Sequence, residues 1–430
     1  MSKRRLFAAL AAAALALTSL AGCSGGASTA TTAAPAATQA APAETTAAPA
    51  AAAPAETTAA PAPAPSGKVV KLGFLGPITG GDAAEGAAAR NAFMLAIKQA
   101  NASGEYPYTI EVIEIDDQAK PEVGAAGAQK IVADPAVVAA SGHWNSGVAE
   151  ATIPVFKENE IPLLIWGAIR ESLTSPENYP WITRSAPTDV QENVPLAKAV
   201  LDDMKYDKIF IISDLTTYGE GNTTAFTKEM EARGLTPLGV EKVQTGTVDF
   251  RPILQKVKDS GANCVYWGGV VTEGSMLKQQ MYEEQLDALF CGISGNYSQD
   301  FLKIGAEAAE GALIVKPGIE LDSTPEGQKF VADYEAEKFS EPIGAYTPYA
   351  YEAALILLNA LKACGADPTP EAMRDAIKDG STTGIMGTTT FNEIGQTTNV
   401  AAYLNVVQDG EWVVYDKSEY KTGARQFPGK

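Results

Sequence analysis

Three scarcities bound what this chain can do. It has one histidine, His143, so a Ser-His-Asp triad or a histidine-rich metal centre would have to be built on that single imidazole. Basic residues are few: 33 Lys and Arg stand against 52 Asp and Glu, a net charge of −19. That balance excludes the Lys/Arg surface that nucleic-acid binding requires, and otherwise speaks for solubility more than for any one partner. Only four cysteines occur, Cys23, Cys264, Cys291 and Cys364. The three beyond Cys23 are widely spaced and odd in number, which is neither a metal motif nor a disulfide framework. They read as buried thiols, with a Cys264–Cys291 bridge between neighbouring strands left open. The Gly-rich run 73–81, GFLGPITGG, lacks the Gly-Lys-Ser/Thr ending of a phosphate loop, and nothing calls for a cofactor.

The apolar stretch Leu6–Leu17 is too short to span a bilayer. Preceded by Lys3, Arg4 and Arg5 and followed by small residues, it has the layout of a secretory signal. It runs into LAGC, which resembles the lipobox of bacterial lipoproteins and implies removal of residues 1–22 and lipidation of Cys23. Residues 24–66 are almost entirely Ala, Thr, Pro, Ser and Gly, with PAETTAAPA at Pro42–Ala50 and again at Pro54–Ala62. No large apolar side chain is there to offset the ordering entropy of a fold. The segment, 23–66 with its lipidated cysteine, reads as a disordered tether that holds a domain away from a membrane.

Gly67–Lys430 is long enough for two domains. Short β-like runs alternate with helical patterns. VVKLGFLGP is followed by a helix through AAARNAFMLAIKQAN, in which Ala89, Phe93, Ala96, Ile97 and Ala100 share one face. YTIEVIEIDD, VVAASGH and IPLLIWGA continue the series. A second begins after Asp189 with KIFIISD, LTPLGVEKV, NCVYWGG and ALFCGI. Regular alternation with nearly continuous apolar strands predicts α/β lobes with parallel sheets covered on both faces, two of them in succession. Three later helices each open with Thr-Pro (Thr324, Thr347, Thr369), with Thr expected at the N-cap and Pro in the first turn. NVAAYLNVVQDGEWVVYD reads as a hairpin about Asp409-Gly410.

The stretch SGHWNSG, Ser141–Gly147, ends a strand on a small-residue turn that leads into a helix. Such a point presents unpaired N–H groups and partial positive charge. Ser146 adds a hydroxyl, and Gly147 admits close backbone approach. The turn reads as a dock for an anionic or carbonyl group of a small ligand. Trp144 and Tyr218 are the aromatics expected in that cleft, whereas Trp267 reads as structural. His143 reads as structural or pocket-lining, and Asp116-Asp117 as strand-end residues capping the next helix.

Taken together, KLGFLGPITG, IEIDDQAKPEVGAAGAQKIV, GHWNSGVAEATIPVFKENEIPLLIWGA, SDLTTYGEG and FRPILQKVKDSGANCVYWGG resemble, in order, the periplasmic leucine/isoleucine/valine-binding proteins and their relatives. These are substrate-binding components of ATP-binding cassette importers. The resemblance implies a type I periplasmic binding fold: two Rossmann-like lobes, three hinge crossovers and the ligand in the cleft. Residues 67–188 and 316–399 would form one lobe, 189–315 and 400–430 the other. It further implies that Ser146 holds a ligand carboxylate, that Ala168 makes a backbone contact, that Asp189 meets an α-ammonium and that Tyr218 closes from the opposite lobe. Gly167, Val270 and Glu273 would complete the surroundings.

Two positions depart from the family pattern. Ile169-Arg170 replaces a small hydroxyl residue near the carboxylate, and Ser294 replaces a second acid for the amine. Arg170 offers a planar fork to an anion, or else points to solvent and pairs with Glu171 or Asp189. The expectation is a monomeric, extracytoplasmic, non-enzymatic lipoprotein that binds a small carboxylate-bearing solute, an amino acid or analogue, and serves a membrane permease. A sensor partnering a membrane receptor, or a binder of an amide, a urea-like compound or an aromatic acid, is the alternative.

Overall fold

The computed structural model describes residues 67–430; the signal segment, Cys23 and the tether lie outside the described residues. The first sheet is made of β1 (Val69–Gly76), β2 (Thr109–Asp116), β3 (Val137–Ser141), β4 (Leu163–Ile165) and β5 (Ile182–Arg184). All are parallel, in the order β2-β1-β3-β4-β5. The helices α1 (Ala83–Ser103), α2 (Pro121–Val132) and α3 (Ser146–Glu158) connect its first four strands. Side chains alternate across this sheet, as the period of a strand requires. Leu72 and Phe74 pack with Phe93 and Ala96 of α1, while Leu75 faces Ile131 of α2 and Ile153 of α3. The expected apolar face of α1 (Ala89, Phe93, Ala96, Ile97, Ala100) is wholly buried.

The chain then crosses to a second sheet. In order it supplies α4 (Asp189–Ala197), β6 (Ile209–Asp214), α5 (Thr217–Glu231), β7 (Gly239–Val243), α6 (Arg251–Ser260) and β8 (Cys264–Trp267). Next come α7 (Val271–Glu283), β9 (Leu289–Gly292), α8 (Gln299–Gly305) and β10 (Leu313–Pro317). The chain crosses back to supply α9 (Pro325–Ala336), α10 (Thr347–Cys364), α11 (Pro370–Asp379) and the short pair β11 (Thr382–Gly384) and β12 (Gly387–Thr389). α10 packs along α1, and α11 reaches β3, so these helices return to the first sheet. A third crossing leads to β13 (Ala402–Gln408) and β14 (Glu411–Val414), which join the second sheet in the order β14-β13-β10-β9-β8-β6-β7.

The hairpin turn is Asp409-Gly410, with φ of 54° and 80°, the double positive φ that a two-residue turn needs and Gly accepts without strain. The second crossing falls after Pro317, not after Val315. β10 keeps pairing with β13 up to Pro317 opposite Ala402, so Lys316 belongs to the second sheet. Thr324 and Thr369 cap α9 and α11 as expected. Thr347 does not cap α10: it lies inside the helix and accepts the N–H of Gly344 at 2.9 Å. Cys264 and Cys291 are free buried thiols, their sulfurs 3.5 Å apart between β8 and β9, and Cys364 is partly buried.

Candidate functional site

Both sheets place their strand C-termini around a cavity of about 640 Å³. Apart from Tyr346, its lining residues come from loops that follow β1, β2, β3 and β4 on one side and β6, β7, β8 and β9 on the other. Open parallel sheets collect ligands at this end, where the strand order reverses. The reversals here are β1 to β3 in the first sheet and β6 to β8 in the second.

Five helices, α1, α2, α3, α5 and α7, begin at the cavity wall. Helix starts carry N–H groups with no partner inside the helix. Elsewhere Thr188, Ser298, Thr324 and Thr369 cap α4, α8, α9 and α11, while α6 and α10 have no side-chain cap. At the cavity only α5 has such a cap, Thr216; α1, α2, α3 and α7 have none. α3 is the clearest case. Its preceding residue is Asn145, a good capping type, yet the Asn145 amide donates to Asp82 at 2.9 Å instead of serving the helix. The first helical bond of α3 is Ala149 N–H to Asn145 C=O, so the N–H groups of Ser146, Gly147 and Val148 precede the ladder and meet the cavity.

Ser146 accepts the N–H of Arg170 at 3.3 Å, which leaves its own hydroxyl hydrogen to donate. His143 is fully buried beneath this turn, with Nδ1 2.9 Å from Asp117 Oδ2 and Nε2 2.8 Å from Thr152 Oγ1, a structural brace from β2 to α3. The Asp116-Asp117 pair does not cap α2, whose N-cap is Lys120. Asp116 instead accepts N–H groups of Ile78 and Thr79, holding the loop after β1. Trp267 donates to the Val270 carbonyl at 3.1 Å and is core, as expected. Among the described residues no cluster of three or more metal-ligating side chains forms.

The cavity brings together Trp144, Ser146, Gly147, Gly167, Tyr218, Val270 and Glu273. Ala168, Arg170, Asp189 and Ser294 do not line it. Ala168 is fully buried: its N–H goes to the His143 carbonyl at 2.8 Å and its carbonyl accepts from Arg184 at 3.1 Å, so both backbone groups are engaged inside the protein. Arg170 and Asp189 lie against α5. A Cβ built on Gly221 would come within 2.6 Å of Arg170 Nη1 and 2.3 Å of Asp189 Oδ2. Asp189 also accepts the N–H groups of Glu171 and Val190. Burial raises its pKa against the pull of Arg184. The fork expected to face an anion lies outside the cavity lining, beside Asp189 at Gly221.

Arg184 organises this loop. It is fully buried and donates to Gln396, to the carbonyls of Ala168 and Arg170 and to Thr174. Ser294 lies just behind the lining residues Gly295 and Tyr346 and is bonded to Glu192, an acid that the sequence reading did not single out.

The reading also missed Asp82, Lys120, Thr217 and Tyr346. Asp82 was within reach, since it follows Gly80-Gly81 at a strand end. Burial pushes its carboxyl up to about 6, opposed by the Asn145 hydrogen bond and helped by the charges of Glu273 and Asp214. Glu273 faces it from the other lobe and accepts the N–H of Gly246 at 2.6 Å. Lys120 turns to Gln118 at 3.2 Å. The lobes touch at the cleft mouth, where Thr217 donates to Glu150 at 3.2 Å.

A cleft between two doubly wound sheets, ringed by strand-end loops and uncapped helix starts, defines a two-lobed solute-binding protein of the α/β class. The chain belongs to the periplasmic binding protein family, whose model matches residues 69–411. It is similar to Leu/Ile/Val-binding protein homolog 2 of Brucella abortus, 30% identical over 76% of this chain and 87% of that protein. Homolog 1 of Brucella suis is 32% identical over 74% of this chain and 85% of its own length. Among solved structures, the branched-chain amino acid substrate-binding protein of Streptococcus pneumoniae, in complex with isoleucine, superposes with a TM-score of 0.73 at 20% identity, covering 80% of this chain and 98% of that one. A solute-binding protein of an ATP-binding cassette transporter from Rhodopseudomonas palustris, in complex with p-hydroxybenzoic acid, gives 0.72 at 22% identity, covering 81% and 95%. These likenesses establish the type I periplasmic binding fold, and the family is one of extracytoplasmic substrate-binding transport proteins. No helix among the described residues is long and apolar enough to cross a membrane.

Proposed function

We propose that the protein is a lipid-anchored, monomeric substrate-binding component of an ATP-binding cassette importer. It captures a small carboxylate-bearing solute, an amino acid or close analogue, in the interlobe cleft and delivers it to a membrane permease. The observation that carries this reading is the uncapped start of α3 at the cavity, with the Ser146 hydroxyl beside it. A carboxylate placed there completes the missing cap and gains charge-assisted hydrogen bonds of roughly 1.5–3 kcal/mol each. Isoleucine and p-hydroxybenzoic acid, held by the two solved relatives, share a carboxylate and little else. An amine on the ligand is met by Asp82 and Glu273, since Asp189 and Ser294 are turned inward.

A thermal-shift screen of amino acids, aliphatic and aromatic acids, and the amide of each tests the ligand class, because a ligand that binds only the folded form raises the melting point by mass action. Acids should shift the transition and their amides should not; equal shifts would remove the carboxylate from the proposal. Anchoring is tested by Cys23→Ala, which should move the protein out of the membrane fraction with its melting temperature unchanged.

A further inference from the structure

The floor of the cleft contains a closed triangle of polar contacts drawn from both lobes. Glu192 of α4 and Ser294 after β9 belong to the second lobe, and Tyr346, at the start of α10, belongs to the first. All three are buried, and Tyr346 also lines the ligand cavity. Ser294 Oγ is 2.6 Å from Glu192 Oε2, Tyr346 Oη is 2.6 Å from Glu192 Oε1, and the two hydroxyls are 2.8 Å from each other. Each side of the triangle is a hydrogen-bond distance and needs one proton. Two hydroxyls supply two. With Glu192 ionised, one side would hold two oxygens at contact distance with no hydrogen between them.

With Glu192 protonated the count closes. Its Oε1–H donates to Tyr346, Tyr346 donates to Ser294, and Ser294 donates to Oε2. Oε2 acts as the carbonyl oxygen and also accepts the Ser294 N–H at 3.3 Å. We propose that Glu192 is a positioning residue of the cleft that works in its protonated form, closing a hydrogen-bond ring with Ser294 and Tyr346 that fastens the two lobes together behind the ligand. Closure of the cleft is therefore linked to one proton, held at the position from which the Ser294 side chain displaces an acid.

The surroundings agree. The ionisable groups that face Glu192 are Asp189 on its own helix, Tyr218 on α5, and Tyr346 and Tyr349 on α10; none is a cation. On β10, which packs against α4, Lys316 stands over the rings of Tyr297 and Tyr403. Burial accordingly pushes the Glu192 carboxyl up to about 7. Loss of the proton leaves the Ser294–Tyr346 side without a hydrogen and puts a charge in the cleft floor with no cation to meet it, and hydration of that charge favours separation of the lobes.

The inference rests on the cleft being the binding site, but its test needs no ligand, so its failure and that of the carboxylate reading are distinguishable. Infrared difference spectra of the purified protein, wild type minus Glu192→Gln, should show a protonated carboxyl band that disappears with a midpoint near pH 7. Small-angle scattering should show the wild type expanding as the pH rises through that midpoint. Glu192→Gln can donate and accept in the same ring and should stay compact across the range. Tyr346→Phe, which breaks the ring and keeps the acid, should be expanded at every pH. Absence of the carboxyl band overturns the proposal. So does a band accompanied by identical scattering profiles in wild type and Glu192→Gln, or a Tyr346→Phe variant that expands with pH as the wild type does.

Discussion

Ser146→Ala isolates the proposed anion dock. Ser146 is 1% exposed, so its hydroxyl is withdrawn from bulk water and available to the cavity. Two effects of its removal can be separated by magnitude. Without ligand, the variant loses only the 3.3 Å contact with the Arg170 N–H. A neutral hydrogen bond of that kind contributes about 0.5–1.5 kcal/mol to folding, and this one is long. With ligand, the variant loses a donor to a carboxylate, about 1.5–3 kcal/mol. Since each 1.4 kcal/mol is a factor of ten, affinity should fall by roughly ten- to a hundredfold. Calorimetry with the tightest-binding acid of the screen, and with its amide, gives the decisive comparison, because a charge-assisted bond exists only for the acid. The expected result is a loss for the acid at least five times that for the amide, on a fold whose urea midpoint barely moves. A loss under threefold, or one equal for acid and amide, would refute a carboxylate at the start of α3.

Three further outcomes follow from named contacts. Glu352 is buried, accepts the Met386 N–H and the Thr389 hydroxyl at a long 3.4 Å, and burial pushes its carboxyl from 4.5 up to about 7. Its raised folded pKa is a penalty absent below the unfolded value and complete above about 7, so Glu352→Gln should match wild type near pH 4 and exceed it by on the order of 3 kcal/mol at pH 8; a difference in urea stability that stays flat over that range counts against it. A Cβ on Gly147 would meet Thr217 Oγ1 at an ordinary 3.5 Å, so Gly147→Leu should fold with unchanged or slightly raised stability and lose ligand binding more than tenfold, its side chain occupying the cavity. The buried thiols Cys264 and Cys291 should resist a thiol reagent in the native protein while Cys364 reacts, and all three should react in denaturant.

Much of the fold was legible because its signals are local. Strands such as Ile209–Asp214, buried at every position, announce themselves as continuous apolar runs, and the Asp409-Gly410 turn declares the hairpin. The β3–α3 turn was legible for the same reason: Ser146 and Gly147 reach the cavity from where they stand in the chain. What failed was side-chain direction. Arg170 and Asp189 sit where the family pattern puts ligand contacts, but Gly221 of α5, distant in sequence, opens a slot that receives both. The Ala168 carbonyl is claimed by Arg184, one of whose other partners, Gln396, lies beyond the second crossing. Glu192 left no local mark at all, since its meaning depends on Ser294 and Tyr346, brought to it from two distant stretches of chain.

The distribution of helix caps ties these observations together. A good N-cap contributes about 1 kcal/mol, and this chain uses Thr or Ser for it at α4, α5, α8, α9 and α11. Two other uncapped helices have local substitutes. α6 has Pro252 in its first turn, removing a donor, and the buried Glu85 carboxyl faces the N–H groups of Ala345 and Tyr346 just ahead of α10. At the cavity no such substitute exists for α3. Asp82 draws the Asn145 amide away, and three N–H groups stay open. The same Asp82 then stands beside the open helix start with its pKa raised, available to a positive group on whatever anion docks there. Folding alone would favour Asn145 turned back onto its own helix. The arrangement observed forgoes that stability at the cavity wall, and on the proposed carboxylate reading the ligand supplies the missing acceptor, so that binding and completion of the helix become a single event.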